Sequence, residues 1–226
     1  MVSALILAGG QSSRMGQDKA SLSFSGIPLL RRVYDVAAHC TESVSVITPW
    51  PERYQALLPA ACQWIVERSP NGSRGSTQGP VVGFSHGLRY LMASAQLTPW
   101  VLLLACDLPC LEVEVLIGWM GDLSSVDPLA IAALPCRASS QDDVHPNPDK
   151  QWEPLCGFYR ASCVDSLQEF IAGGGRSFQR WLRNEQIEAL DMGDRRAQTM
   201  LMNCNTPDDL SAIQNRHHDQ PSRIPD

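Results

Sequence analysis

The chain has 226 residues, a formal net charge of −6 at pH 7, 44% hydrophobic and 19% charged residues. That length allows one large core or two small ones at roughly 100–200 residues per domain, and the acidic balance argues against a general nucleic-acid surface, which needs a basic face to neutralise phosphates. The sequence has no run of the roughly 18 apolar residues that a membrane helix requires, and the opening MVSALILAGG has neither a basic leader region nor a small-residue cleavage site. A cytoplasmic protein with no membrane or nucleic-acid partner is expected.

The first element is a short apolar run, Ser3 to Ala8, which reads as a strand buried on both faces. It stops at Gly9-Gly10, where the backbone can adopt conformations closed to other residues. The loop that follows offers successive backbone N–H groups, the hydroxyls of Ser12 and Ser13, Gly16, and the cations Arg14 and Lys19. Such a loop at the carboxyl end of a strand suits a polyphosphate. It is not a Walker loop, which needs Lys directly after its second Gly, because Gly16 is followed by Gln17-Asp18-Lys19. The dinucleotide fingerprint G-x-G-x-x-G is absent as well.

A helix over 28–40 follows, with Leu29, Leu30, Val33, Val36 and Ala37 on one face and Arg31, Arg32 and Asp35 opposite. Strands are predicted over 44–48 and 63–66, with a short helix over 54–58 between them. The stretch 69–79, SPNGSRGSTQG, is a Gly/Ser-rich loop. Pro80 fits the first turn of a helix running to about Met92. WVLLLAC, Trp100 to Cys106, is the most apolar segment and the predicted central strand; it ends at Asp107-Leu108-Pro109. A carboxylate at that place sits where α/β sheets bind ligands, and Mg²⁺ favours few carboxylates with phosphate oxygens and water. Asp107 is therefore the candidate metal ligand; the competing reading is an Asp that caps the next turn. A helix over 112–120 and a strand over 129–134 come next, then a polar excursion over 137–152. The segment 161–172 reads as a helix stopped by three glycines, and Arg176-Ser177 opens another through Arg183. That turn is either a second anion site or a hinge between helices. The eight cysteines contain no C-x-x-C and read as buried, reduced thiols. Residues 1–213 are read as one domain and 214–226 as a disordered tail. Alternating strands and helices predict an α/β protein, a Rossmann-like three-layer α/β/α sandwich with a mostly parallel central sheet.

The string L-A-G-G-x-S-x-R-M-G-x-D-K-A resembles the signature of nucleotidyltransferases with the nucleotide-diphospho-sugar-transferase fold. Its Asp18-Lys19 ending and double Gly are most similar to molybdenum cofactor guanylyltransferases. Gly79-Pro80-Val81-Val82-Gly83, Asp107-Leu108-Pro109 and Asn203-Cys204-Asn205-Thr206-Pro207-Asp208-Asp209-Leu210 continue the resemblance in order. An ordinary proline-started helix is the other reading of the first of these. The resemblance implies transfer of GMP from GTP to molybdopterin, with Mg²⁺ as cofactor, for which Mn²⁺ could substitute. It also implies transient contact with molybdenum-insertion proteins or molybdoenzyme chaperones.

By that resemblance the nucleotide lies against Leu7, Ala8, Gly9, Gly10, Ser12, Ser13, Gly16, Lys19, Gly79, Pro80 and Asp107, and the acceptor against Pro154, Arg176, Ser177, Asn203 and Asn205. Arg14, Lys19 and Asp107 are the catalytic candidates. The acid that helps select guanine is either Glu67, shifted by one position, or absent with Arg68 in its place. The alternatives are a cytidylyltransferase of the same cofactor, a sugar-phosphate nucleotidyltransferase, or a non-catalytic nucleotide-binding module.

Overall fold

Apolar side chains alternate across the two faces of a sheet, so a strand covered on both sides must be apolar throughout. β1 (Val2–Leu7) meets that condition but for Ser3, whose Oγ accepts from the Ser43 Oγ at 3.1 Å, and every residue but the last is buried. The computed structural model describes residues 1–9, 18–67, 77–94, 98–136, 152–202, 204 and 209. After β1 come a small hairpin of β2 (Ser23–Phe24) and β3 (Ile27–Pro28), then α1 (Leu29–Cys40), β4 (Ser43–Thr48), α2 (Pro51–Tyr54) and β5 (Gln63–Val66). The second half holds α3 (Pro80–Ala93), β6 (Trp100–Ala105), α4 (Val113–Asp122), β7 (Ala132–Pro135) and β8 (Cys156–Arg160). It ends with α5 (Val164–Ala172), α6 (Phe178–Leu182), β9 (Ile187–Leu190) and α7 (Arg195–Met200).

Seven strands form one sheet in the order β5-β4-β1-β6-β8-β7-β9. Among them β8 alone runs against the rest, antiparallel to both β6 and β7. Ala4, Ile6, Leu102 and Leu104 pack on one face with Leu30 and Val33 of α1 and Leu116 and Trp119 of α4. Leu5, Val101 and Leu103 pack on the other with Phe84 and Leu88 of α3, Leu167 of α5 and Trp181 of α6. This is a three-layer α/β/α sandwich. Phe84, Tyr159, Phe178 and Trp181 form an aromatic cluster on the second face, with ring centroids 4.7–6.0 Å apart. No described helix is long and apolar enough to cross a membrane.

The topology creates a crevice. From β1 the chain moves through α1 to β4 and β5, then returns through α3 to β6 on the other side of β1. Ligands bind at such a switch point, beyond the carboxyl ends of the strands. α1 and α3 lie on opposite faces because their connections travel in opposite directions and both turn right-handed.

Several boundaries differ from the sequence reading. α2 begins at Pro51 rather than Tyr54, because Pro51 occupies the first helical turn. β7 begins at Ala132 rather than Leu129: the Asp127 carboxylate accepts from the Leu129 N–H at 2.8 Å, making a turn that leaves Leu129 75% exposed. In α1, Tyr34 joins the buried face. Arg32 does not point simply to solvent; its Nε donates to the Pro109 carbonyl at 3.1 Å and its guanidinium lies 5.0 Å from the centroid of the Phe24 ring. The β2–β3 hairpin, β9 and α7 were not anticipated. The hairpin turns at Ser25-Gly26, with φ of 50° and 81°, the backbone that a two-residue turn of this kind requires.

All eight cysteines are free thiols, and Cys62, Cys110, Cys156, Cys163 and Cys204 are buried. Burial pushes the thiols of Cys62 and Cys110 up to about 12, and that of Cys163 above its ordinary value too.

Leu103 is fully buried at the centre of β6. Leu103→Ala removes apolar contacts and leaves a cavity, and should lower the unfolding free energy by about 2–5 kcal/mol in a denaturant titration.

Candidate active site

The site is built where β1 and β6 stop. Beyond β1, Ala8 N–H still donates to the Ile47 carbonyl at 2.9 Å, and Gly9 follows at the cleft wall. A Cβ on Gly9 would come within 2.9 Å of Thr77 Cγ2 and 3.1 Å of Pro49 Cδ, so the position has no room for a side chain. The described chain resumes at Asp18, whose Oδ1 accepts from Ala20 N at 3.1 Å and caps the single 3-10 turn Lys19–Ser21. From this turn the Lys19 Nζ reaches Asp107 Oδ2 at 3.4 Å.

Asp107 follows the end of β6. Cys106 N–H donates to the Leu7 carbonyl at 3.2 Å, the Cys204 N–H donates to the carbonyl of Asp107 itself at 3.1 Å, and Arg32 holds Pro109. The carboxylate is thus mounted on a segment tied to β1, to α1 and to the chain around Cys204. Across the cleft, Gly79 adopts φ +92°, a conformation that favours glycine, and hands over to Pro80 at the start of α3.

Glu67 continues β5, its N–H donating to the Thr48 carbonyl at 3.0 Å. Its side chain is buried in the cleft and its Oε1 accepts from the Gln78 N–H at 3.1 Å. Burial raises its pKa, and the Gln78 N–H opposes that rise.

One cleft therefore brings together Leu7, Ala8, Gly9, Lys19, Glu67, Gly79, Pro80 and Asp107. Of the two readings of the base-selecting acid, Glu67 lies in this cleft; Arg68 lies outside the described residues. Gly10, Ser12, Ser13, Arg14, Gly16, Asn203 and Asn205 are likewise outside them. Pro154 precedes Leu155, which lines the cleft; the Pro154 carbonyl accepts from the Tyr159 hydroxyl at 2.7 Å. Arg176 and Ser177 are not among the cleft residues. The Arg176 Nη1 donates to the carbonyls of Ile171 at 3.1 Å and Gly175 at 2.6 Å, and Ser177 Oγ caps α6 by accepting from Arg180 N. The turn at Arg176-Ser177 is thus held by its own local hydrogen bonds.

Sequence reasoning gave no role to Asp18, Tyr54 or Thr77, all of which line the cleft. Asp18 lies inside the quoted motif; Tyr54 carries no sequence signal, because its partner stands 36 positions away.

Among the described residues no group of three or more His, Cys, Asp or Glu side chains could hold a metal ion. A single strand-end carboxylate nonetheless fits Mg²⁺, which commonly takes one or two carboxylates and fills its remaining positions with phosphate oxygens and water. An ammonium, a carboxylate and the glycine-lined strand end in one crevice together suit a metal-bound polyphosphate.

Residues 4–189 match the family model described as the MobA-like NTP transferase domain. A probable molybdenum cofactor guanylyltransferase from Nostoc sp. is 47% identical over 218 residues, covering 96% of this chain and 93% of its own. Among solved structures, the molybdopterin-guanine dinucleotide biosynthesis protein A from Archaeoglobus fulgidus superposes with a TM-score of 0.71 at 19% identity, covering 96% of this chain and all of its own. The 4-diphosphocytidyl-2C-methyl-D-erythritol synthase from Anaerococcus prevotii shares the fold, with a TM-score of 0.69 at 12% identity over 96% of this chain and 98% of its own. With the family model spanning most of its length and the switch-point cleft lying inside the matched region, the chain belongs to the MobA-like NTP transferases.

Proposed function

We propose that this NTP transferase moves GMP from GTP onto the phosphate of molybdopterin, forming molybdopterin guanine dinucleotide and releasing pyrophosphate. The observation that carries the reading is the meeting of Lys19 and Asp107 at 3.4 Å in a crevice lined by the family's glycine-rich strand end. The name borne by the 47% identical relative supports the choice of guanine and of the pterin acceptor.

In this reaction an oxygen of the acceptor phosphate bonds to the α-phosphorus of the nucleotide as the bond to the β-phosphate's bridging oxygen breaks. A phosphate monoester has a second pKa near about 6, so the nucleophile is already ionised and needs no base to activate it. The barrier is the approach of anions and the charge on departing pyrophosphate. Lys19 offers positive charge at that point, and Arg14 is assigned the same role. Asp107 would hold Mg²⁺, which when bound would neutralise phosphate charge in a site of low dielectric. Glu67 offers a buried carboxylate as acceptor for the N–H edge of a purine base, and Pro154, Arg176, Ser177, Asn203 and Asn205 are assigned to the acceptor side.

Pyrophosphate release from GTP and CTP, measured side by side with molybdopterin as acceptor, tests the reading. GTP should be preferred, and Glu67→Gln should cut that preference at least about tenfold, the scale of a lost hydrogen bond to a charged group; preference for CTP in the parent enzyme overturns the choice of base. Lys19→Ala should reduce turnover by about 10²–10³, the range for one preorganised electrostatic donor, and near-normal turnover removes Lys19 from the chemistry. For Asp107→Asn, the Mg²⁺ concentration giving half-maximal rate should rise by roughly 10–100-fold with the fold retained by circular dichroism. An unchanged Mg²⁺ titration contradicts the metal assignment.

A further inference from the structure

Tyr54 lies in α2, inside the family match but outside the motifs quoted from the sequence, and is 2% exposed. Pro51 starts the helix and sets its direction, so that the Tyr54 ring forms part of the cleft wall. Its hydroxyl donates to Asp18 Oδ2 at 2.6 Å, the short distance of a hydrogen bond to a charged acceptor. The other carboxylate oxygen, Oδ1, accepts from Ala20 N at 3.1 Å. Both oxygens of Asp18 are thus held, by donors from two different elements that line the same cleft.

The residue between Asp18 and Ala20 is Lys19. A carboxylate next in sequence to an ammonium is a natural competitor for it, and a lysine paired with its neighbour is turned away from a ligand. Here the Lys19 Nζ instead lies 3.4 Å from Asp107 Oδ2, across the crevice. We infer that Tyr54 is a positioning residue for nucleotidyl transfer: by holding Asp18 it keeps that carboxylate off the neighbouring ammonium and aims Lys19 at the phosphates. The inference rests on nucleotidyl transfer in this cleft and is independent of which base is used.

Burial, the hydrogen bond to Asp18 and the charge of Asp18 all push the Tyr54 phenol far above its ordinary value. The hydroxyl therefore remains a donor throughout the working pH range, as a fixed strut must.

Tyr54→Phe keeps the ring and deletes only the donor. It should lower kcat about tenfold, within the penalty of up to about 10² for slight misplacement of a reacting group, while KM for the nucleotide changes less than about threefold. Asp18→Ala should also lower kcat, and adding Tyr54→Phe to it should change kcat less than about twofold, because residues acting through one another are not additive. A purely structural tyrosine would lower the thermal midpoint and the active fraction, with kcat per folded molecule unchanged. A kcat for Tyr54→Phe within about twofold of the parent overturns the inference, as does a full tenfold loss in the Asp18→Ala background. The ratios are taken with whichever of GTP or CTP the parent enzyme turns over, so a CTP preference would overturn the base assignment and leave the role of Tyr54 to these ratios.

Discussion

Leu7 pairs with Ala105 on the last rung between β1 and β6, so both strands end level with each other. Because the strands are parallel, the segments that follow them leave over the same edge of the sheet, beside the switch point where sheets of this topology bind ligands. The glycine-lined end of β1 and the aspartate after β6 owe their proximity to this one constraint. Main-chain bonds from Cys106 to Leu7 and from Cys204 to Asp107 then lock the segment that carries the carboxylate. The cleft's wider walls, Glu67 after β5 and Gly79 before α3, come from the strand and helix next in line.

Within that frame the Lys19–Asp107 pair is well suited to give way. Both side chains are about one fifth exposed and their charged atoms stand 3.4 Å apart. An ion pair in contact with water is worth only about 0–1 kcal/mol. Under the proposed assignment, a polyphosphate with its counter-ion would offer each partner a stronger interaction than the one it surrenders. The pair thus holds two flexible groups in place without making them costly to recruit, and the Tyr54–Asp18 contact restrains the backbone turn from behind.

Much of this was legible in the amino-acid sequence, for identifiable reasons. β1 and β6 are dense in apolar residues because both sheet faces are covered, and Pro80 marks the start of α3 because its missing N–H is harmless there. Asp107 was legible because a carboxylate at the carboxyl end of a buried parallel strand sits at the binding edge, whereas Glu67 and Gly79 were tied to the same cleft by the family's motifs. β9 escaped notice because it is a short, half-exposed edge strand with no alternation, and α7 because Arg195, Arg196 and Gln198 hide a weak apolar face of Ala197 and Met200. Arg176 and Ser177 show a different limit. Gly-Gly-Gly-Arg-Ser has the composition of an anion loop, and composition does not reveal that the guanidinium folds back onto two carbonyls of its own turn. Tyr54 was illegible because a hydrogen bond across 36 positions leaves no local pattern.

The thiols carry a consequence of their own. Thiolate is the reactive form of cysteine, and burial holds Cys62 and Cys110 near about 12 and raises Cys163 as well. An alkylating reagent therefore meets protonated, enclosed sulfur until the surrounding layer opens. Cys62 sits in the layer beneath α1 and Cys163 in the layer beneath α3 and α5. Each marks one side of the sheet, so the rates at which these two sulfurs are capped record how often either half of the sandwich breathes, with no label introduced.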